Sequence, residues 1–170
     1  MGKNEDEDTI DMGAVTGKLR ALAQGMRLKV LIVDDDELER ALVADQLEIR
    51  GFEVVRAANG AEALTKLDGQ SFPVILVDWA MPVMNGIELT QQLRASGIDD
   101  SYIIMLTARD GTLDHKAGYQ AGVDDYLTKK VHDTELLARI HAGLNTFNLR
   151  RTLKEARAAL ADALASKAAA

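Results

Sequence analysis

The sequence predicts a single α/β domain built on a doubly wound parallel sheet of five strands. From residue 28 onwards, short aliphatic runs recur, and each is followed by a helical pattern of about a dozen residues. This alternation is typical of parallel βα units. With 170 residues and 47% hydrophobic content, the chain can bury one full core but not two. We therefore expect one domain with extensions.

Five strand-and-helix units are predicted in order along the chain. They are KVLIVDDD with ELERALVADQLEIRG, FEVVRAA with GAEALTKL, PVILVD with IELTQQLRAS, YIIMLTA with TLDHKAGYQAG, and DDYLTK with DTELLARIHAGLNTF. In the first helix, the leucine pattern indicates that Leu38, Leu42 and Leu47 face inward, and Gly51 lies past its end.

Polar side chains stand where the strands are expected to end. Asp34 and Asp35 end the first strand, Asp78 the third, Thr107 the fourth and Lys129 the fifth. In doubly wound sheets ligands bind at the carboxyl ends of the strands, so these groups should share one rim. Clustered carboxylates raise one another's pKa unless a cation is present, and all-oxygen ligation suits Mg²⁺. The chemistry that follows is attack of an aspartate on phosphorus, giving an aspartyl phosphate.

Four motifs, LIVDDDE, VILVDWAMPVMNG, IIMLTA and AGVDDYLTKK, together resemble the receiver domains of two-component response regulators over roughly residues 28–147. The resemblance implies a flavodoxin-like sheet with strand order 2-1-3-4-5. It also implies that Asp78 accepts a phosphoryl group from a phosphohistidine on a sensor histidine kinase or a phosphotransfer protein. No cofactor other than Mg²⁺ is implied.

The same resemblance assigns the metal ligands. Asp35 and Asp78 would ligate Mg²⁺ through their side chains, Ala80 through its backbone carbonyl, and Asp34 through a metal-bound water. Ala80 has no polar side chain to steer an attacking water. The lifetime of the phosphoryl group is therefore expected to differ from that of receivers with a polar residue there.

The resemblance also assigns Thr107 as the switch hydroxyl, Lys129 as the phosphate-binding cation and Tyr126 as the aromatic whose rotamer follows the threonine. Lys130 departs from the family pattern, which has a proline at this position. Since a cis bond before a residue other than proline costs about 2.5 to 4 kcal/mol, either the bond is trans and the loop shifts, or strain is stored there. Both alternatives bear on the reach of Lys129.

Other residues near the motifs are expected to have structural roles. Asp36, with Glu39 three positions later, should cap the first helix. Trp79 is expected to be a partly exposed loop aromatic. Asn85 and Gly86 should form the turn that holds the phosphoacceptor loop.

The fifth helix should continue beyond residue 147, because LRRTLKEARAALADALASKAAA contains neither proline nor glycine. Its apolar residues alternate by four and three, as in a coiled coil. They are Leu149, Leu153, Ala156, Leu160 and Ala163. Residues 148–170 are thus predicted to form a parallel stalk in a homodimer, with a frayed tail as the alternative. By analogy, the stalk would lead to an effector such as a diguanylate cyclase.

Residues 1–27 are expected to be an acidic tail followed by a short amphipathic arm. The chain has no cysteine, which excludes disulfides and thiolate chemistry, and its net charge of −7 argues against binding nucleic acid. No apolar run reaches the roughly 20 residues of a membrane span, so a cytoplasmic protein without membrane contact is expected.

Three other functions compete with the receiver prediction, and the sequence argues against the first two. A phosphatase with an aspartate nucleophile usually has a second acid two residues later, where this chain has Ala80. Flavin binding on this fold needs a phosphate loop after the first strand, where DDDELER would repel phosphate. A degenerate receiver that acts only as an interaction module, without phosphorylation, stays open. We expect no enzyme with turnover in this chain.

Overall fold

A computed structural model describes residues 28–108 and 115–168, and the predicted tail and arm in residues 1–27 lie outside them. The strands are β1 (Lys29–Val33), β2 (Glu53–Ala57), β3 (Val74–Asp78), β4 (Tyr102–Thr107) and β5 (Asp125–Thr128). The helices are α1 (Glu37–Glu48), α2 (Gly60–Leu67), α3 (Gly86–Ala95), α4 (His115–Ala121) and α5 (Asp133–Ala168). All strand pairs are parallel, in the order β2-β1-β3-β4-β5. The predicted fold class is confirmed.

Helices cover the sheet on both faces, so β3 at its centre is buried along its whole length. Ile75 and Val77 of β3 pack into a core closed by side chains of α2 and α3. Val74 and Leu76 pack into a second core closed by α1 and α5. Burial on both faces explains the continuous aliphatic run before Asp78, since no position in β3 faces solvent.

The prediction for α1 was wrong in its rotation about the helix axis. Leu38 and Leu42 are exposed, at 76% and 65% of their surface, whereas Leu47 is buried. At 3.6 residues per turn, Leu38 and Leu47 lie about 180° apart around the helix, so they cannot share one face. The buried face is formed instead by Leu47 with Ala44, and Val43 packs beside them.

Helix α5 begins on the sheet and continues far beyond it. Its sheet-facing side chains are buried: Leu136, Ile140, Leu144 and Phe147. The helix then runs without interruption to residue 168, as predicted, and side chains 151–167 are all exposed.

An ion network ties the start of this extension to the sheet. Asp124, just before β5, lies 2.5 Å from Arg150 of α5 and 2.8 Å from Arg94 of α3, measured from carboxylate oxygen to guanidinium nitrogen. Its carboxylate also accepts a hydrogen bond from the backbone amide of Ile103. One turn beyond Arg150, Lys154 lies 3.5 Å from Asp100. The extension is therefore anchored to the domain over its first turn.

Candidate functional site

Asp78 is the last residue of β3, at the carboxyl edge of the sheet, and only 3% of its surface is exposed. Two backbone hydrogen bonds shape the loop after it. Trp79 N–H donates to the carbonyl of Leu106, and Gly86 N–H donates to the carbonyl of Trp79. A Cβ on Gly86 would lie 2.5 Å from the Asp78 carbonyl oxygen, so only glycine permits this approach. The predicted role of this turn in holding Asp78 agrees with that geometry.

The structure brings Asp34, Asp35 and Asp78 together. Each offers a carboxylate oxygen, and these oxygens lie within 4.8 Å of one another. Asp34 is buried and accepts a hydrogen bond from the backbone amide of Asp36, whereas Asp35 is exposed. Three hard, anionic oxygen donors fit Mg²⁺ and do not suit a soft metal. Ala80, the fourth predicted ligand, contributes a backbone hydrogen bond to Asp78.

Lys129 reaches into this cluster from the end of β5. Its Nζ lies 3.0 Å from Asp78 Oδ1, 3.1 Å from Asp34 Oδ2 and 2.5 Å from Glu39 Oε2. Its backbone amide donates to the carbonyl of Thr107, which fixes the chain leaving the strand. Lys130 has a left-handed backbone with φ of 64°, and the described residues contain no cis peptide bond. The peptide bond before Lys130 is therefore trans, the backbone turns through a left-handed residue there, and Lys129 still contacts Asp78.

Burial sets the electrostatics of the two inner carboxyls. Desolvation raises the pKa of Asp78 to about 6, and the charge of Asp34 adds to the effect, while the hydrogen bond from Lys129 opposes it. Burial also raises the pKa of Asp34. For Lys129, burial alone would lower the pKa, but hydrogen bonds to the surrounding carboxylates more than offset it, and the pKa is raised. The site thus holds excess negative charge around one firmly protonated lysine.

Glu39 belongs to the site, although the sequence pattern pointed elsewhere. Asp36 caps α1 as predicted, accepting hydrogen bonds from the backbone amides of Leu38 and Glu39. The Glu39 carboxylate, expected to complete that cap, pairs with Lys129 instead. Because α1 begins directly after the acidic end of β1, its first turn faces the rim. This closeness in sequence is the feature that could have identified Glu39 as a residue of the site.

Thr107 and Tyr126, the predicted switch pair, lie on neighbouring strands. Thr107 ends β4 and is 5% exposed. Tyr126 lies on β5, where its hydroxyl donates to the carbonyl of His115 and its ring stacks on the His115 ring at 4.4 Å. Its ring also lies 6.4 Å from that of Trp79, beside the phosphoacceptor.

Gly118 of α4 is a further residue that the sequence analysis missed. A Cβ there would lie 1.7 Å from the Tyr126 hydroxyl oxygen. Glycine at this helical position is therefore what allows the tyrosine to lie against α4. No local pattern marks it, because the contact joins residues of different elements.

This sheet order, with a buried aspartate ending the central strand, two acids after β1, a hydroxyl ending β4 and a lysine after β5, defines a receiver domain. The chain belongs to the response regulator receiver domain family, whose model matches residues 30–141. It is accordingly the receiver domain of a two-component response regulator.

Several characterised proteins are similar to this chain. It is 44% identical over 114 residues to the transcriptional regulatory protein CpxR of Escherichia coli K12, covering 67% of this chain and 48% of that protein. It is 40% identical over 130 residues to the response regulator MprA of Mycobacterium bovis BCG, covering 76% and 54%. The chain thus spans about half the length of these relatives.

Solved structures agree with this assignment. The receiver domain of the Francisella response regulator 1452 aligns with a TM-score of 0.63 at 35% identity, covering 69% of this chain and 96% of that one. Vibrio cholerae CheY4 aligns with a TM-score of 0.66 at 34% identity, covering 70% and 100%. Within the described ranges of the present chain, none of the helices has the length and apolar character needed to cross a bilayer.

Proposed function

We propose that Asp78 accepts a phosphoryl group from a phosphohistidine on a sensor histidine kinase or phosphotransfer protein. The observation that carries this proposal is the 3.0 Å contact between Lys129 Nζ and Asp78 Oδ1 in a cluster of three acids, of which Asp34 and Asp78 are buried. A lysine fixed at this distance can pass one hydrogen bond from the carboxylate to an incoming phosphoryl oxygen.

The reaction is a nucleophilic displacement at phosphorus. A carboxylate oxygen of Asp78 forms the new P–O bond while the P–N bond to the histidine breaks, and the imidazole takes the electron pair of that bond. Asp34, Asp35 and Asp78, with the backbone carbonyl of Ala80, would hold Mg²⁺, which supplies positive charge against the phosphoryl oxygens when bound. Lys129 donates to a phosphoryl oxygen and stabilises the charge that develops there.

The signal is proposed to leave through Thr107 and Tyr126. A phosphoryl group on Asp78 adds nearly two negative charges at the rim. Thr107 would turn its hydroxyl towards the phosphoryl group, and Tyr126 would fill the space that it vacates. Because Tyr126 contacts α4 through His115, its movement would alter the surface formed by α4, β5 and α5.

Beyond the sheet, α5 is proposed to form a parallel stalk in a homodimer. Four leucines of the extension are exposed by 49% to 69%: Leu149, Leu153, Leu160 and Leu164. Three of them, Leu149, Leu153 and Leu160, belong to the predicted coiled-coil pattern, and Leu164 lies beside Ala163 of that pattern. Apolar side chains at this spacing are buried when two such helices pair.

The stalk proposal can be tested by light scattering after size-exclusion chromatography. Leu160→Glu should convert a dimer into a monomer, whereas Ala158→Glu, on the opposite side of the helix, should not. A monomeric parent would favour a frayed single helix. If the stalk pairs, we further propose by analogy that it leads to an effector such as a diguanylate cyclase, with the whole protein acting in the cytoplasm.

The phosphoacceptor proposal is tested by intact mass after incubation with Mg²⁺ and acetyl phosphate. The parent should gain one phosphoryl group and Asp78→Asn should gain none. Acetyl phosphate should be consumed no faster than the phosphorylated protein loses its phosphoryl group, because the chain is not expected to be an enzyme with turnover. No gain in the parent, even with a phosphorylated histidine donor, would favour the alternative of a phosphorylation-independent interaction module.

A further inference from the structure

Glu39 contacts the phosphorylation site but has no part in the displacement described above. Its carboxylate lies 2.5 Å from Lys129 Nζ, closer than that of Asp78 or Asp34. An ammonium group has three N–H donors, and three carboxylates surround this one. A phosphoryl oxygen that arrives at the site must therefore take its hydrogen bond from Lys129 in competition with these carboxylates.

We propose that Glu39 is a positioning residue that competes with the phosphoryl group for Lys129, and thereby slows phosphorylation and weakens the binding of phosphoryl-like anions. This inference rests on the proposed function of Asp78. The first turn of α1 would then help to set the rate at which Asp78 is phosphorylated.

Glu39 is the competitor that the geometry favours among the three carboxylates. Asp34 is 1% exposed and held by the backbone amide of Asp36, so it is fixed in place. Asp78 is the group that is phosphorylated, so it cannot be a separate competitor for Lys129. The Glu39 side chain is 36% exposed and longer by one methylene group, so it can move into water with its charge solvated. Its backbone, however, is fixed by the Asp36 cap.

The effect of Glu39 through Lys129 must be separated from the effect of its charge on an anionic donor. Glu37 provides the matched control. It lies in the same first turn of α1, is exposed, and makes no ion pair within the described ranges. Glu39→Gln and Glu37→Gln remove the same charge from the same turn, but only the first releases Lys129.

The first measurement is the rate of phosphorylation by acetyl phosphate at saturating Mg²⁺, followed by intact mass. Glu39→Gln should react about three- to fivefold faster than the parent, the range expected for loss of one partly exposed ion pair. Glu37→Gln should react at the parental rate. Equal rates for Glu39→Gln and the parent would overturn the inference, as would equal acceleration by both variants.

The second measurement is equilibrium binding of beryllofluoride, an anionic phosphoryl mimic, in Mg²⁺, detected by Trp79 fluorescence. Glu39→Gln should bind it about three- to fivefold more tightly than the parent, and this gain should vanish in a Lys129→Gln background. A gain that persists without the lysine would refute competition for Lys129. The two proposals fail separately: a parent that gains no phosphoryl mass defeats the function of Asp78, whereas a phosphorylated parent matched by Glu39→Gln defeats only the role of Glu39.

Discussion

Replacing Asp78 by asparagine should stabilise the unphosphorylated protein in the absence of divalent metal. The carboxyl is costly to ionise because burial removes its charge from water and because Asp34 lies beside it, and Lys129 offsets only part of that cost. Asparagine is nearly the same size and carries no charge. We expect Lys129 to keep its contacts with Asp34 and Glu39 in the variant, because neither partner is changed.

The expected gain follows from the pKa of Asp78, which is about 6 instead of 3.8. A raised pKa means that the folded state binds the proton more tightly than the unfolded state. The resulting stabilisation is complete below pH 3.8 and is lost as the pH rises through about 6. At about 1.4 kcal/mol for each pKa unit, the raised pKa makes the parent less stable than a protein with an uncharged group at this position, by about 3 kcal/mol at pH 8 and by about 1 kcal/mol at pH 4.5.

Urea unfolding with chelator at these two pH values measures the difference. The free energy of unfolding of Asp78→Asn should exceed that of the parent by about 3 kcal/mol at the higher pH and by about 1 kcal/mol at the lower. Added Mg²⁺ should narrow the gap by stabilising the parent. Asp68→Asn, at an exposed position with no ion pair in the described part of the chain, is the control. A gain that does not change with pH would refute the electrostatic reasoning.

Three further substitutions test the packing around the site and along α5. Gly118→Ala places a methyl group against the Tyr126 hydroxyl, and should change the near-ultraviolet circular dichroism and destabilise the fold by about 1 to 3 kcal/mol in urea. Gly86→Ala pushes on the carbonyl of the phosphoacceptor residue, and acetyl phosphate should label this variant more slowly than the parent by intact mass. Arg150→Gln should reduce the free energy of unfolding by about 1 kcal/mol, because Asp124 loses one of two guanidinium partners; an unchanged value would show that the contact contributes nothing.

The parts of the fold that follow from local patterns could be predicted from the sequence. Alternating aliphatic runs and helical stretches determine the βα units, and the chirality of their connections leaves few arrangements of the sheet. Asp78 and Asp34 could be found because each directly follows a run of four buried aliphatic residues. Their clustering then follows from the geometry of parallel strands, which brings the carboxyl ends to one edge.

What could not be predicted depends on contacts between elements. Leu38 and Leu42 are apolar and helical in spacing, yet which face of α1 meets the sheet is decided by how Ala44 and Leu47 fit against it. Glu39 satisfied the rule for a helix cap, but a half-buried lysine that follows β5, far along the chain, outcompeted that local partner. Tertiary electrostatics overrode local preference there.

The 36-residue α5 is a rigid lever as well as a stretch of secondary structure. From Arg150, where the ion network attaches it to the sheet, the helix extends about 27 Å to residue 168 at 1.5 Å per residue. A tilt of about 5° at that attachment displaces the far end by about 2 Å, because the displacement grows with the length of the arm. A tilt of α5 that is too small to break any contact in the core therefore moves the end of the helix by as much as a change of side-chain rotamer would.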